Sequence, residues 1–267
     1  ITANGEAAGI FDGTDDYITV GDLDYLDGVE QFTISAWIKF ASPAPPEANF
    51  ICHKGPTGND NIKIRWSNGS GGNLYWYVSS GGTAYGRSSF PEATGIGWNH
   101  IAMVYDGTFT DGDPATQNAG RLKGYVNGVL KTMTSTAGTV PPQTDDNSAA
   151  MNIVTDDTSV FYDGSIADFR IFSAALSAGT INTTLYEGNT GSPLNPATNV
   201  SGAYAPEVGN EVGWWKLNAT TSGTLDSTDS VGSNDGAQNG GVKSGFCIMS
   251  GSGTVIGNQG NGGRPPI

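Results

Sequence analysis

Basic side chains, histidine, cysteine and long apolar runs are all scarce in this chain, and each scarcity closes off a class of function. Only 12 Lys plus Arg stand against 26 Asp plus Glu, a net charge of −14 over 267 residues. Binding to a phosphate backbone depends on neutralising phosphates with Lys and Arg, so no nucleic-acid partner is expected. No stretch approaches the roughly 20 apolar residues of a membrane-spanning helix, and no membrane partner is expected. The acidic excess suits solubility in a salty external medium, cation binding, or both.

Two cysteines, Cys52 and Cys247, are too few for a disulfide framework; one bridge in an oxidising compartment and two free thiols both remain open. Histidine occurs twice, at His53 and His100. Cys52 and His53 are neighbours, and adjacent residues on a strand point to opposite faces, so the doublet does not chelate one zinc. His100 lies within an apolar stretch and reads as a structural residue. No glycine-rich loop leads into a helix, which leaves nucleotide binding without support. The chain starts at Ile1 with neither an initiator Met nor an apolar leader, the pattern expected of a processed or partial product.

What the chain has is glycine, 40 residues of it, with abundant Ser, Thr and Asn, a composition of short strands and tight turns. In FTISAWIKF the period-two pattern puts Phe32, Ile34, Ala36, Ile38 and Phe40 on one face and Thr33, Ser35, Trp37 and Lys39 on a mixed face. WNHIAMVYDG, residues 98–107, is nearly apolar throughout and suits a central strand covered on both sides. Asn127-Gly128 between Tyr125-Val126 and Val129-Leu130 predicts a hairpin with a type I′ turn. Residues 62–66 and 74–78 predict another across SNGSGG. Here Ile62, Ile64 and Trp66 share a face, as do Leu74, Trp76 and Val78, while Lys63, Arg65, Tyr75 and Tyr77 fall opposite. A short helical stretch is expected around Ala174, Ala175, Leu176, Ile181 and Leu185. Residues 189–210 read as a linker or arm rich in Pro, Gly, Ser and Asn. Strand-like pieces follow at 212–217 and 242–250 before a Gly-rich end.

The segments IFDGTDDYITV, FTISAWIKF, GWNHIAMVYDG, LKGYVNGVL and GSIADFRIFSAALS, spread in order over residues 10–177, together resemble the laminin G-like, concanavalin A-like lectin/glucanase jelly roll. The resemblance implies an all-β, two-sheet antiparallel jelly-roll sandwich with a C-terminal strand-bearing extension: a jelly roll over 1–188, the arm over 189–210, and the extension over 211–267. In that family a segment like WWKLNATTSGTLDSTDSVGSNDG, residues 214–236, normally precedes the one like IFDGTDDYITV. Here it follows, so residues 211–267 must close this chain's own sheet or complete a neighbour's. The neighbouring rings Trp214 and Trp215 then divide, one inside and one against another surface. Similar strings resemble structural proteins of marine bacteriophages. That implies an extracellular setting on a virion surface, with copies of itself or a capsid or fibre protein as partners and a cell-surface glycan as ligand; the alternative is a carbohydrate-binding module of a secreted polysaccharide-degrading enzyme.

Glucanases of this fold use a Glu-x-Asp-x-x-Glu strand, whose alternate carboxylates lie side by side over the sugar. The glutamates here are Glu6, Glu30, Glu47, Glu92, Glu187, Glu207 and Glu211, and none has Asp two positions on. The chain is therefore expected to be no enzyme. Calcium, which takes hard oxygen ligands from irregular acidic loops, is the expected cofactor. The resemblance points to Asp12 in FDG and Asp168 in IADFRIF as ligands joining the first and last core strands; the other reading has both cap turns. Asp106, Asp111 and Asp113 form a second acidic loop that reads as a solvated hairpin tip. For sugar stacking the candidates are Tyr75 and Tyr77, with Arg65 beside them for hydroxyls or an anionic glycan, and Trp37 on its mixed face; the alternative is that these aromatics are core.

Overall fold

A computed structural model describes residues 8–42, 49–55, 62–67, 72–79, 85–89, 97–156, 160–194, 196, 205, 207–218, 225–244, 247–249 and 255–257. In chain order the strands are β1 (Gly9–Asp12), β2 (Tyr17–Asp22), β3 (Gln31–Phe40), β4 (Asn49–Lys54), β5 (Ile62–Ser67), β6 (Asn73–Val78) and β7 (Tyr85–Ser89). They continue with β8 (Asn99–Asp106), β9 (Leu122–Val126), β10 (Val129–Lys131), β11 (Met133–Ala137), β12 (Ala150–Ile153) and β13 (Asp163–Phe172). The C-terminal part adds β14 (Glu211–Trp215), β15 (Ala237–Asn239), β16 (Lys243–Ser244), and the separate pair β17 (Cys247–Met249) and β18 (Val255–Gly257). All pairings are antiparallel. One sheet runs β10-β9-β8-β3-β13-β1-β16, with β14 also on β13; the other runs β11-β7-β6-β5-β4-β12-β2-β15. This is the jelly-roll sandwich that the sequence predicts.

Period-two alternation builds the core between the sheets. Phe32, Ile34, Ile38 and Phe40 of β3 meet Ile62, Ile64 and Trp66 of β5 and Leu74, Trp76 and Val78 of β6 in one cluster. The hairpin turn forms as its dipeptide requires, with Asn127 at φ 51° and Gly128 at φ 74°. The second face of β3 departs from expectation. Thr33, Ser35 and Trp37 are all buried, because a helical segment, Thr180–Tyr186, packs Ile181 and Leu185 over that sheet, and Tyr186 and Leu194 reach Trp37 and Trp98. Ala205 joins the same outer layer. The first sheet is thus covered on both sides over much of its area.

The acidic loop does form the exposed tip of the β8–β9 hairpin, and within it begins a helix that the sequence reading did not include, α1 (Pro114–Arg121). The Asp113 side chain accepts from the Thr116 backbone N–H at 2.8 Å, and Pro114 follows it at the first helical position. An Asp cap before Pro is a start signal that was present in the sequence. Asp111 accepts from the Asp113 N–H, and Asp106 from Gln31 and Thr108, so these carboxylates serve turns and caps.

The displaced C-terminal segment returns to its own chain. Strand β14 pairs with β13 where β1 has ended, β15 pairs with β2, and β16 with β1, so both sheets gain strands at the edge that β1 and β2 occupy. The DSTDSVGSNDG loop is organised by the buried Asp229. Its carboxylate accepts from the backbone N–H groups of Trp214 (3.0 Å), Val231 and Asn234 (3.3 Å each).

Candidate functional site

Outward-pointing residues of β5 and β6 face each other in register: Lys63 opposite Tyr77 and Arg65 opposite Tyr75. The two tyrosine rings lie nearly parallel, 19° apart with centroids at 6.1 Å. Lys63 Nζ stands 4.2 Å from the Tyr77 ring centroid and 5.5 Å from that of Phe50 on β4. Arg65 Cζ stands 5.9 Å from Tyr75 and 5.7 Å from Phe50. Cations over ring faces hold both groups in place, each such contact contributing about 0.5–1 kcal/mol at exposed sites. Tyr77, Lys63, Phe50 and His53 are buried within this patch, while Tyr75 and Arg65 are half-exposed. Tyr75 and Arg65 are therefore its solvent-facing members. Tyr75, Tyr77 and Arg65 come together as the alternation implies. Phe50 was missed because β4 follows a Pro-rich stretch that conceals its period.

Trp37 does not join them. It lies on the other sheet, 1% exposed, stacked on Tyr186 at 5.6 Å and edge-on to His100 at 5.4 Å, so it has no face for a sugar. His100 beside it is fully enclosed; burial, helped by the nearby Arg170 charge, pushes its pKa down to about 3. Trp214 and Trp215 do divide as adjacent strand residues must, but neither ring forms an external surface. Trp215 sits in the core and donates from Nε1 to the Asn234 carbonyl at 2.8 Å. Trp214 covers the buried Arg170 at 3.9 Å and donates to Asp168 Oδ1 at 2.7 Å. Cys52 is a buried free thiol whose pKa burial raises to about 12; the Cys247 side chain lies outside the described residues.

The expected metal pair is not brought together. Asp12 faces Asp163 in register, whereas Asp168 sits further along β13, beyond the end of β1, at a bulge where its own φ is 52°. Asp168 is buried and bound to Arg170 Nε at 2.8 Å. An alternative acidic group does assemble: ligand oxygens of Asp12, Asp15 and Asp16 in the β1–β2 turn lie within 4.8 Å of one another. Asp163 stands across from Asp12. Burial, then the Asp12 charge, raises the Asp163 pKa; burial raises that of Asp16 even though its carboxylate accepts from the N–H groups of Gly241 and Asp12. Hard oxygens crowded in this way fit a calcium ion, which the first turn could hold through Asp12, Asp15 and Asp16. A second group, Asp22, Asp24 and Asp27, is answered from within the chain. Lys54 Nζ lies 2.7 Å from Asp22, 3.3 Å from Asp27, and 3.2 and 3.0 Å from the carbonyls of Asn147 and Ala149. An ammonium takes the place a metal would have.

The raised pKa values set a test. A carboxylate whose folded pKa exceeds its unfolded value favours folding below the unfolded pKa, and that contribution is lost as pH rises through the folded one. In chelator, Asp163→Asn is expected to melt at the wild-type temperature near pH 3 and above it at pH 7. Calcium should raise the wild-type midpoint more than that of Asp15→Asn, which lacks one carboxylate of the group; equal calcium increments in thermal melts would remove the metal assignment.

Comparison with known proteins follows the same lines. A family model described as the concanavalin A-like lectin/glucanases superfamily matches residues 12–182. A search of curated protein sequences returns no match. Among solved structures, a proposed carbohydrate-binding protein from Bacteroides ovatus superposes with a TM-score of 0.56 at 17% identity, covering 90% of this chain and 59% of that one. A heptameric SAP-like pentraxin from Limulus polyphemus is similar at 15% identity and TM-score 0.48, covering 68% of this chain and 83% of its own. Domain 4 of an extracellular arabinanase from Geobacillus stearothermophilus, solved with arabinotriose, is similar at 20% identity and TM-score 0.41, over 60% of this chain and 68% of that one. At these identities the likeness is one of fold.

Proposed function

Because this chain belongs to the concanavalin A-like lectin/glucanase superfamily, we propose that it is a non-catalytic carbohydrate-binding protein working outside the cell, with saccharide laid on the outer face of β5 and β6. The observation that carries this reading is the register of Arg65 against Tyr75 and Lys63 against Tyr77, with the two rings nearly parallel. A sugar ring presents C–H groups on one face and hydroxyls at its rim. Tyr75 offers the apolar surface for the first and Arg65 a fork of donors for the second. The neighbouring structure described as carbohydrate-binding adds support at the level of fold.

Two settings are consistent with this site. One is a module of a polysaccharide-degrading system, in which β14, β15 and β16 complete the sheets of their own chain. The second is a subunit on the exterior of a virion, touching a host glycan through the same face. Affinity for a panel of plant and marine polysaccharides tests the common core of both. Tyr75→Ala is expected to weaken the best binder about tenfold, close to 1.4 kcal/mol, while the melting temperature falls by only about 2–4 °C with the loss of the contact to Arg65. Equal affinity of the variant and wild type would end this assignment.

A further inference from the structure

Charge is spread unevenly over the sheet that carries Tyr75. The strands β11, β7, β6, β5, β4 and β12 lie side by side, and none contains Asp or Glu, although the chain has 26 such residues. The same strands carry Lys54, Lys63, Arg65 and Arg87. Cations buried elsewhere are answered from within the chain: Lys54 by Asp22 and Asp27, Arg170 by Asp168 and Glu211, and Arg121 by the carbonyls of Phe109 and Val140. Arg65 is different. Its guanidinium stands beside the rings of Phe50 and Tyr75, its Nε is enclosed without a hydrogen-bond acceptor, and no carboxylate among the described residues pairs with it. The register continues this row to Arg87, which lies opposite Tyr75 on β7.

We propose that the saccharide held at Tyr75 is an acidic one, its ring lying on Tyr75 and its carboxylate or sulfate ester held by the Arg65 guanidinium. The inference rests on the reading of β5 and β6 as a saccharide face. A guanidinium carries five N–H donors in a planar fork that matches two oxygens of one oxyanion. The two rings hold that fork in place before the ligand arrives, so little side-chain freedom is lost on binding. A sugar hydroxyl can accept from one of these donors; an oxyanion accepts from two and answers the charge as well, which makes each bond stronger. The want of Asp and Glu on the adjoining strands removes the local repulsion that such a ligand would meet elsewhere on a chain of net charge −14. More distant carboxylates are screened at physiological ionic strength, where the screening length is about 8 Å.

The test is calorimetric titration of the whole chain, at about 0.15 M salt, with two matched pairs: polygalacturonate and its methyl ester, and dextran sulfate and dextran. Within each pair only the acid group differs. At least one acidic polymer should bind at least about tenfold more tightly than its neutral counterpart, the factor that separates a charge-assisted from a neutral hydrogen bond. The pair that shows the preference identifies the acid as carboxylate or sulfate. Arg65→Gln should bring the acidic polymer down to the affinity of the neutral one, and Arg65→Lys, which keeps the charge and loses the fork, should fall between. Lys243→Gln, the same loss of charge at an exposed position on the other sheet, should change nothing. Tyr75→Ala should weaken acidic and neutral polymers alike. A neutral polymer bound as tightly as its acidic counterpart, with both still dependent on Tyr75, would overturn the acidic ligand and leave the saccharide face standing. Binding that Tyr75→Ala does not weaken would overturn the face and this proposal together. Equal losses in Arg65→Gln and Lys243→Gln, or no binding by either acidic polymer, would overturn the proposal as well.

Discussion

Replacing Arg170 with methionine is expected to destabilise the protein by about 3–5 kcal/mol, the cost of stranding buried charge after one partner of an ion pair is removed. Arg170 is fully buried. Its Nε binds Asp168 at 2.8 Å, NH1 lies 3.7 Å from Glu211, NH2 donates to the Ala205 carbonyl at 2.6 Å, and Trp214 covers its plane. These partners come from β13, β14 and the segment before β14, so one guanidinium ties the C-terminal part of the chain to the jelly roll. Removing it leaves the Asp168 and Glu211 carboxylates inside without a counter-charge. In thermal melts the midpoint should fall by about 10 °C. The triple change Arg170→Met, Asp168→Asn, Glu211→Gln should recover much of the loss, since a buried ion cluster replaced as a whole is often close to neutral. No recovery would mean that shape at this position matters more than charge.

Trp215→Ala should cost a similar amount, about 3–5 kcal/mol, by a different route. The ring is fully buried, tilts against Phe169 at 5.9 Å, and shares the main core with Leu217 and Leu225. Its loss opens a cavity in the core between the two sheets, beneath β14 and β13, and leaves the Asn234 carbonyl without its donor. Trp214→Ala removes a ring lying over Arg170 at the margin of the core, and should cost less. Urea unfolding of the two variants distinguishes them, because only Trp215→Ala should shift the midpoint by the full amount; equal shifts would mean that the two rings are not divided between core and surface layer.

The sandwich was legible because its strands obey a period of two and its turns use residues with few alternatives, as Asn127-Gly128 does. The pairing of Tyr75 and Tyr77 with Arg65 was legible for the same reason, being a matter of alternation within one hairpin. Trp37 was not. Its strand shows a mixed face, and nothing local announces that a helical segment some 140 residues later will cover it. The metal pair failed similarly: Asp12 and Asp168 sit on adjacent strands, but the bulge at Asp168 and the charge of Arg170 turn that carboxylate to a structural task. Asp15, Asp16 and Asp163 were in view as letters, yet only the pairing of β1 with β13 sets Asp163 across from Asp12. The C-terminal strands show where sequence alone stops. Residues 211–244 can be read as strands, but whether their partners belong to the same chain is a property of long-range pairing.

The central claim, saccharide held on the outer face of β5 and β6, is tested most directly by mapping backbone amide shifts of the intact protein against the tightest-binding oligosaccharide from the panel. The largest changes should fall on Arg65, Tyr75 and Tyr77 and their strand neighbours, saturating with the affinity measured by calorimetry. A saturating oligosaccharide that leaves those amides in place while moving others would contradict it.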